Sequence, residues 1–209
     1  MKRQAPTLTQ DKKPTFIVAV SGASGSIYGV RLVEELLKSQ YNVHLCISTT
    51  AFSIIRVETG IELEGTTVAE SARKIQSHFS SRNIRYHSEH NLAAPVSSGS
   101  FMTDGMFVVP CSMKTLSGIA NGYANNLIER AADVILKEGR RLILAPREMP
   151  FNSIHLENML KLSRLGVTIA PPVPAFYQKP KDIHDIVDFV VGKILDSAGI
   201  QHDLFKRWE

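Results

Sequence analysis

The sequence predicts an α/β protein built on a doubly wound parallel sheet. Three observations carry that prediction. Short apolar runs alternate with amphipathic stretches of helical period along the chain. The first apolar run, Ile17-Val18-Ala19-Val20, passes straight into Ser21-Gly22-Ala23-Ser24-Gly25-Ser26 and then into a helix. Prolines and small hydroxyl residues follow the later apolar runs, at the carboxyl ends of strands where such a sheet opens its sites.

The elements follow in order from these patterns. After the first strand, residues 26–39 read as a helix with Ile27, Val30, Leu32, Val33, Leu36 and Leu37 as its apolar positions. A second strand spans 43–47 and a second helix 49–57. Residues 60–98 are the least regular part: an amphipathic helix over 68–79, a short strand at 84–86, and a loop ending in Ser97-Ser98-Gly99-Ser100. A strand at 106–109 leads to helices at 113–120 and 126–137. A strand at 142–145, a helix at 154–165, a strand at 167–170 and a closing helix at 183–197 complete the alternation. The loops expected to open on one sheet edge are 21–26, 48–49, 111–114, 146–150 and 171–177.

Composition bounds the rest. The chain has 209 residues, 44% hydrophobic and 21% charged, enough for one well-buried domain over 15–209. Residues 1–14 are polar, lack the apolar core of a secretory signal, and read as a disordered tail, with a transit peptide as the weaker alternative. No apolar run approaches the roughly 20 residues that span a bilayer. The net charge of +4 comes from scattered basic residues with few aromatics between them, which disfavours nucleic acid. Cys46 and Cys111 both sit in or at the end of apolar runs, as reduced, buried thiols of a cytoplasmic protein do. A nucleophilic Cys111 is the sharper alternative, without a His or acid near it in sequence. The histidines show no metal-ligand spacing, and no metal is expected.

The 21–26 turn has the build of an anion site. Gly22 and Gly25 remove the Cβ atoms that would hold an oxyanion off the backbone, the serines offer hydroxyls, and the first N–H groups of the following helix point outward. A phosphate on a small cofactor is the expected guest, and a ligand-free tight turn is the alternative. Arg147 and Glu148, between Pro146 and Pro150, place a cation and a carboxylate at the same edge; a surface ion pair with other neighbours is the alternative. Arg130 and Lys137 are seven residues apart and share one helix face, which solvated boundary charge also explains. Tyr177 ends a proline-rich segment, held there for binding or for packing. A nicotinamide-dependent dehydrogenase fails on two requirements. Ser48, not an acid, follows the second strand, and Tyr177 and Lys181 enclose Pro180, which a helix interior rejects.

With these residues assembled, the chain from about residue 15 to 208 resembles the UbiX-type flavin prenyltransferases. The resemblance rests on Ser-Gly-Ala-Ser-Gly at 21–25, Ser97-Ser98-Gly99-Ser100, Pro110-Cys111-Ser112 with Lys114-Thr115-Leu116-Ser117, Glu129-Arg130-Ala131-Ala132-Asp133-Val134 with Leu136-Lys137-Glu138, Pro146-Arg147-Glu148, and Pro174-Ala175-Phe176-Tyr177. It implies a three-layer, flavodoxin- or Rossmann-like single domain assembling as a homododecamer. The implied activity joins a dimethylallyl group from dimethylallyl phosphate to N5 and C6 of reduced FMN, and the prenylated FMN serves UbiD-type decarboxylases.

The resemblance assigns FMN to Gly22, Ala23, Ser24, Ser48, Ser97, Ser98, Gly99, Ser100 and Arg130. It assigns the prenyl phosphate to Lys137, Arg147, Tyr177 and Lys193. Glu148 takes part in proton transfer during ring closure, and Ser24 and Glu58 shape the flavin–prenyl contact. Position 193 is Lys where the family carries Arg, so a point charge replaces a bidentate fork. Leu92 stands where some bacterial members place an aromatic residue. The resemblance also implies a site built between subunits, with the 83–97 arm and the tail through Trp208 reaching neighbours. With no adjacent Asp pair in the chain, a metal-free monophosphate donor is the simpler expectation. Two alternatives remain: a flavin-dependent cysteine decarboxylase, whose catalytic His and Asn-x-Met motif are not found, and a non-catalytic FMN-binding oligomer.

Overall fold

The six apolar runs fold as six strands of one all-parallel sheet, ordered β3-β2-β1-β4-β5-β6, in a computed structural model that describes residues 13–207. Most of the 1–14 tail, and Trp208, lie outside the described residues. The strands are β1 (Thr15–Val20), β2 (Asn42–Ile47), β3 (Ile84–Ser88), β4 (Gly105–Cys111), β5 (Leu142–Pro146) and β6 (Thr168–Ile169). β1 is buried along its whole length, and alternate residues serve two cores because successive side chains point to opposite faces. Phe16, Val18 and Val20 pack with α1 (Ser26–Lys38), α2 (Thr49–Thr59), α3 (Val68–Phe79) and α7 (Ile183–Ser197). Ile17 and Ala19 pack with α4 (Met113–Ala120), α5 (Leu127–Lys137) and α6 (Ser153–Arg164). The result is the expected three-layer, doubly wound architecture.

The strand order places the site. From β1 the chain builds outward through β2 and β3, then crosses back to β4 and builds the other way. A crevice therefore opens at the carboxyl ends of β1 and β4, where ligands of such sheets bind. Gly29 brings α1 tight against this junction, since a Cβ there would collide with the Val109 carbonyl of β4. Boundaries differ from the sequence reading where side chains or partners extend the ladder. β1 begins at Thr15, whose N–H is taken by Asp104 (2.7 Å), and β3 runs on to Ser88 opposite Ile47. Within the irregular region, Pro95–Ser97 forms a 3₁₀ turn that buries Val96. The 83–97 stretch, expected to reach a neighbour, thus gives β3 and Val96 to its own chain, leaving Asn91, Leu92 and Ala93 exposed.

A pair of histidines links β2 and β3 beneath the 97–101 loop. His44 Nδ1 and His87 Nε2 are 2.9 Å apart, both side chains are buried, and Phe101 packs on His44 at 4.9 Å between ring centres. One ring must donate and the other accept. Burial pushes both imidazoles down to about 4, with His87 adding to the shift on His44 and Arg85 to both. The unfolded chain, with histidines near 6.5, binds more protons between pH 6.5 and 4, so the folded state loses stability as pH falls through that window. The unfolding free energy from urea titration should drop between pH 7.5 and 5 by roughly 2 kcal/mol per histidine, and His87→Gln should flatten this slope.

Candidate active site

The turn after β1 is stitched to β4. Ser21 Oγ donates to the Pro110 carbonyl (3.0 Å) and accepts from Ser112 N–H (2.8 Å), which fixes the two carboxyl ends side by side. Gly25 has φ +91°, a left-handed conformation that favours glycine. The helix amides expected to receive a phosphate are already engaged. The Glu58 carboxylate, from the last turns of α2, accepts from Gly25 N–H (3.0 Å), Ser26 N–H (2.9 Å) and Ser26 Oγ (2.7 Å). Burial raises the Glu58 carboxyl, but the Ser24 and Ser26 hydroxyls and these two amides outweigh it and hold it below the usual carboxylate range. The expectation of a cofactor phosphate on the α1 amides is therefore corrected: the anion there is the chain's own.

A second group of helix starts is available. A cleft of about 310 Å³ is lined by Gly22, Ser48, Thr50, Glu89, Ser112, Lys114, Asn126 and Glu148, among others. Three helix starts meet in it. Ser48 caps α2 by accepting from Ala51 N–H (3.2 Å), Ser112 caps α4 from Thr115 N–H (3.3 Å), and Asn126 caps α5 from Glu129 N–H (2.9 Å). Glu89 takes Thr49 N–H (2.5 Å) and Oγ1 (2.6 Å). A Cβ at Gly22 would come within 3.0 Å of Thr50, so glycine keeps that wall open. Glu89 thus takes the first amide of α2 as Glu58 takes those of α1, which leaves the starts of α4 and α5, the Ser48 and Ser112 hydroxyls, the Asn126 amide and Lys114 around a narrow slot to meet a polar ligand such as the polyol and anionic head of FMN.

Of the residues expected from the sequence, Gly22, Ser48 and Glu148 line this cleft, with Ala23 and Ser24 on the adjoining turn. Thr50, Glu89, Ser112, Lys114 and Asn126 line it too and were not singled out as site residues. Glu89 and Ser112 directly follow strands, so the carboxyl-edge rule alone would have found them.

Arg147 and Glu148 stand at the same edge. Arg147 N–H donates to the Cys111 carbonyl (3.1 Å), and its Nε to the Ser24 carbonyl (3.2 Å), tying β5, β4 and the glycine turn. Glu148 lies exposed on the rim, its Oε1 accepting from Met149 N–H (3.0 Å). Tyr28 is nearby: burial raises its phenol, the Arg147 charge opposes this and Glu58 adds to it. Cys111 is buried, which pushes its thiol far up and makes it a poor nucleophile; Cys46 is likewise buried and free.

The remaining expected residues are not brought to this cleft within one chain. α5 starts at the carboxyl edge, where Leu127 N–H meets the Glu89 carbonyl (2.7 Å), and ends at the amino edge, where Arg141 accepts from Met106 N–H (2.9 Å). Lys137 therefore lies roughly 15 Å along the helix from Leu127. It pairs with Glu138 (2.9 Å) beside Gly99, and Arg140 holds the Gly99 and Phe101 carbonyls (2.6 and 2.8 Å). Ser97, Ser98, Gly99 and Ser100 share that end, with Ser98 and Ser100 joined by their hydroxyls (2.9 Å). Arg130 sits on the outer face of α5 with Asp133 (2.9 Å). Tyr177 and Lys193 belong to the other layer: the Tyr177 ring meets Phe189 of α7 edge-on (5.8 Å), and Lys193 pairs with Asp196 (3.6 Å).

Comparison with known proteins decides the family. The flavoprotein family model matches residues 4–195. The flavin prenyltransferase UbiX of Halalkalibacterium halodurans is 49% identical over 198 residues, covering 94% of each chain. The chain belongs to the flavoprotein family, within the UbiX type. Among solved structures, a dodecameric FMN-dependent UbiX-like decarboxylase from Escherichia coli O157:H7 superimposes with TM-score 0.82 at 46% identity, covering 93% of this chain and 99% of that one. AnUbiX (PadA1), in complex with FMN and dimethylallyl pyrophosphate, gives TM-score 0.84 at 41% identity, covering 95% and 98%. The UbiX-type framework thus spans the whole described fold. No helix among the described residues is long and apolar enough to cross a membrane.

Proposed function

We propose that the protein is a flavin prenyltransferase, transferring a dimethylallyl group from dimethylallyl phosphate to N5 and C6 of reduced FMN. The observation that carries this reading is the polar cleft at the β1–β4 switch point with Arg147 and Glu148 on its rim, in a chain close to UbiX relatives over its whole fold. Reduced FMN, when bound, supplies the electron-rich N5 and C6. Gly22, Ser48, Ser112 and Asn126 hold the flavin's polar groups, and Glu58 keeps Ser24 and the 24–26 turn in place. In the reaction, the C–O bond to phosphate breaks with both electrons leaving on oxygen. Bonds form from the prenyl unit to N5 and to C6; N5 and C6 each lose a proton, the prenyl alkene takes one up, and one leaves with the phosphate. Cationic and phenolic side chains stabilise the departing phosphate without a metal.

Those side chains come from more than one subunit in this reading. Lys137 on α5 and Lys193 on α7 lie on opposite faces of the sheet, and neither is at the edge that carries Arg147. One phosphate meets all of them only where copies of the chain adjoin. Apolar side chains left exposed support that assembly: Met149, Ile154, Leu160 and Leu165 on and around α6, and Phe176 near Tyr177. A homododecamer like that described for the Escherichia coli O157:H7 relative is the proposed state, and a UbiD-type decarboxylase in the cytoplasm the proposed consumer of prenylated FMN.

Anaerobic incubation with reduced FMN and dimethylallyl phosphate, followed by mass spectrometry of the flavin, tests the activity. Addition of one prenyl unit is expected, and an unmodified flavin would leave only a binding oligomer. The diphosphate run in parallel settles donor preference. Calorimetry should show FMN binding tighter than FAD or NAD, because no acidic residue closes β2 to hold an adenosine ribose.

A further inference from the structure

Asp196 divides its two carboxylate oxygens. Oδ2 faces Lys193 Nζ at 3.6 Å, one helical turn back on α7. Oδ1 accepts from Arg207 Nη2 at 2.9 Å and stands 3.2 Å from His202 Nε2, close though poorly aligned. Arg207 and His202 both belong to the 199–207 segment, which folds back along α7. His202 Nδ1 accepts from Leu204 N–H (3.2 Å), so Nε2 carries the proton, near the carboxylate but not hydrogen-bonded to it.

Packing leaves this segment little room to shift. A Cβ on Gly192 would come within 2.5 Å of the Phe205 ring and 2.6 Å of the His202 ring. Phe205 also packs on Phe189 at 5.0 Å, and Tyr177 meets Phe189 from another side. Gln178, next to Tyr177, donates to the Lys206 carbonyl (2.9 Å). The returning segment therefore braces Tyr177 through Phe189 and Lys193 through Asp196. We infer that Asp196 is a positioning residue for prenyl-phosphate binding: held on one oxygen by Arg207 with the His202 ring packed beside it, it uses the other to hold the Lys193 ammonium in register with Tyr177. This rests on the reading of Lys193 as a phosphate ligand.

The sign of one substitution separates positioning from charge. Asp196 is an anion near an anionic substrate, so by Coulomb's law alone its removal would tighten phosphate binding. If it positions Lys193, its removal frees a side chain rich in rotamers and weakens binding. In the assembled protein, Asp196→Asn is expected to raise KM for dimethylallyl phosphate about three- to tenfold, the cost of ordering such a side chain. FMN affinity should be unchanged and kcat less affected. Asp196→Glu should recover most of the loss, and Arg207→Ala should move KM the same way by less. Lys193→Ala should raise KM, with no further rise when Asp196→Asn is added. An unchanged or lowered KM in Asp196→Asn, or an equal loss of FMN affinity, overturns the inference while Lys193→Ala still reports a phosphate ligand. An unchanged KM in Lys193→Ala instead overturns the reading of Lys193, and the inference with it.

Discussion

Arg147→Ala is expected to lower prenyl transfer about 100- to 1,000-fold while FMN stays bound, the loss typical when one preorganised donor to a developing oxyanion is removed. Arg147 reaches the site from the end of β5 with its backbone fixed on Cys111 and its Nε on the Ser24 carbonyl, so the guanidinium enters the reaction already oriented. Arg147→Lys keeps the charge but not the fork, and should recover only part of the rate. Lys137→Ala should cost a similar factor for the same reason, although Lys137 lies at the far end of α5 from Arg147 in the same chain. That separation makes a mixing experiment decisive. Chains carrying Arg147→Ala and chains carrying Lys137→Ala, each nearly inactive, are co-expressed. If one site draws Arg147 and Lys137 from different chains, about one site in four regains both on random assembly of a closed oligomer. Activity of the mixture no greater than that of its parents would show that a single chain supplies both.

What the sequence made legible follows from range. Strands and helices were readable because their signals are local: Ile17-Val18-Ala19-Val20 is a doubly buried strand whatever surrounds it, and the caps Ser48, Thr67 and Asn126 sit where helices begin. The carboxyl-edge rule named four loops that line the cleft, 21–26, 48–49, 111–114 and 146–150, while 171–177 lies away from it and the loop after β3 that carries Glu89 was not named. What stayed hidden depends on residues distant in sequence. Glu58 reaches the α1 amides from 32 positions away, and no pattern within 21–26 shows that its anion comes from α2. The returning 199–207 segment was equally opaque, because it needs Gly192 to be bare and Asp196 to face Arg207, and neither signal reads as a turn or a site. Lys137 was singled out by its spacing from Arg130 and Lys193 by resemblance alone, and only the fold shows that they occupy opposite layers.

Glu148→Gln should separate the two halves of the reaction. The substitution keeps the shape of the side chain and an oxygen able to accept from Met149 N–H, so the rim of the cleft should be preserved. It removes the capacity to take up a proton at neutral pH. In the proposed reaction, breaking the prenyl C–O bond depends on stabilising phosphate, a role proposed for the cations and Tyr177 and not for Glu148, so phosphate release should persist. Joining the prenyl unit to C6 requires that carbon to lose its proton, and a carboxylate on the rim beside Arg147 is placed to accept it. The expected result is phosphate release in clear excess over ring-closed product, with the ratio read by phosphate assay against mass-resolved flavin. General-base contributions commonly amount to roughly 100- to 10,000-fold, so the deficit should be large. Near-normal ring closure in Glu148→Gln would assign the proton to the released phosphate or to another group, and leave Glu148 with a structural role at the rim.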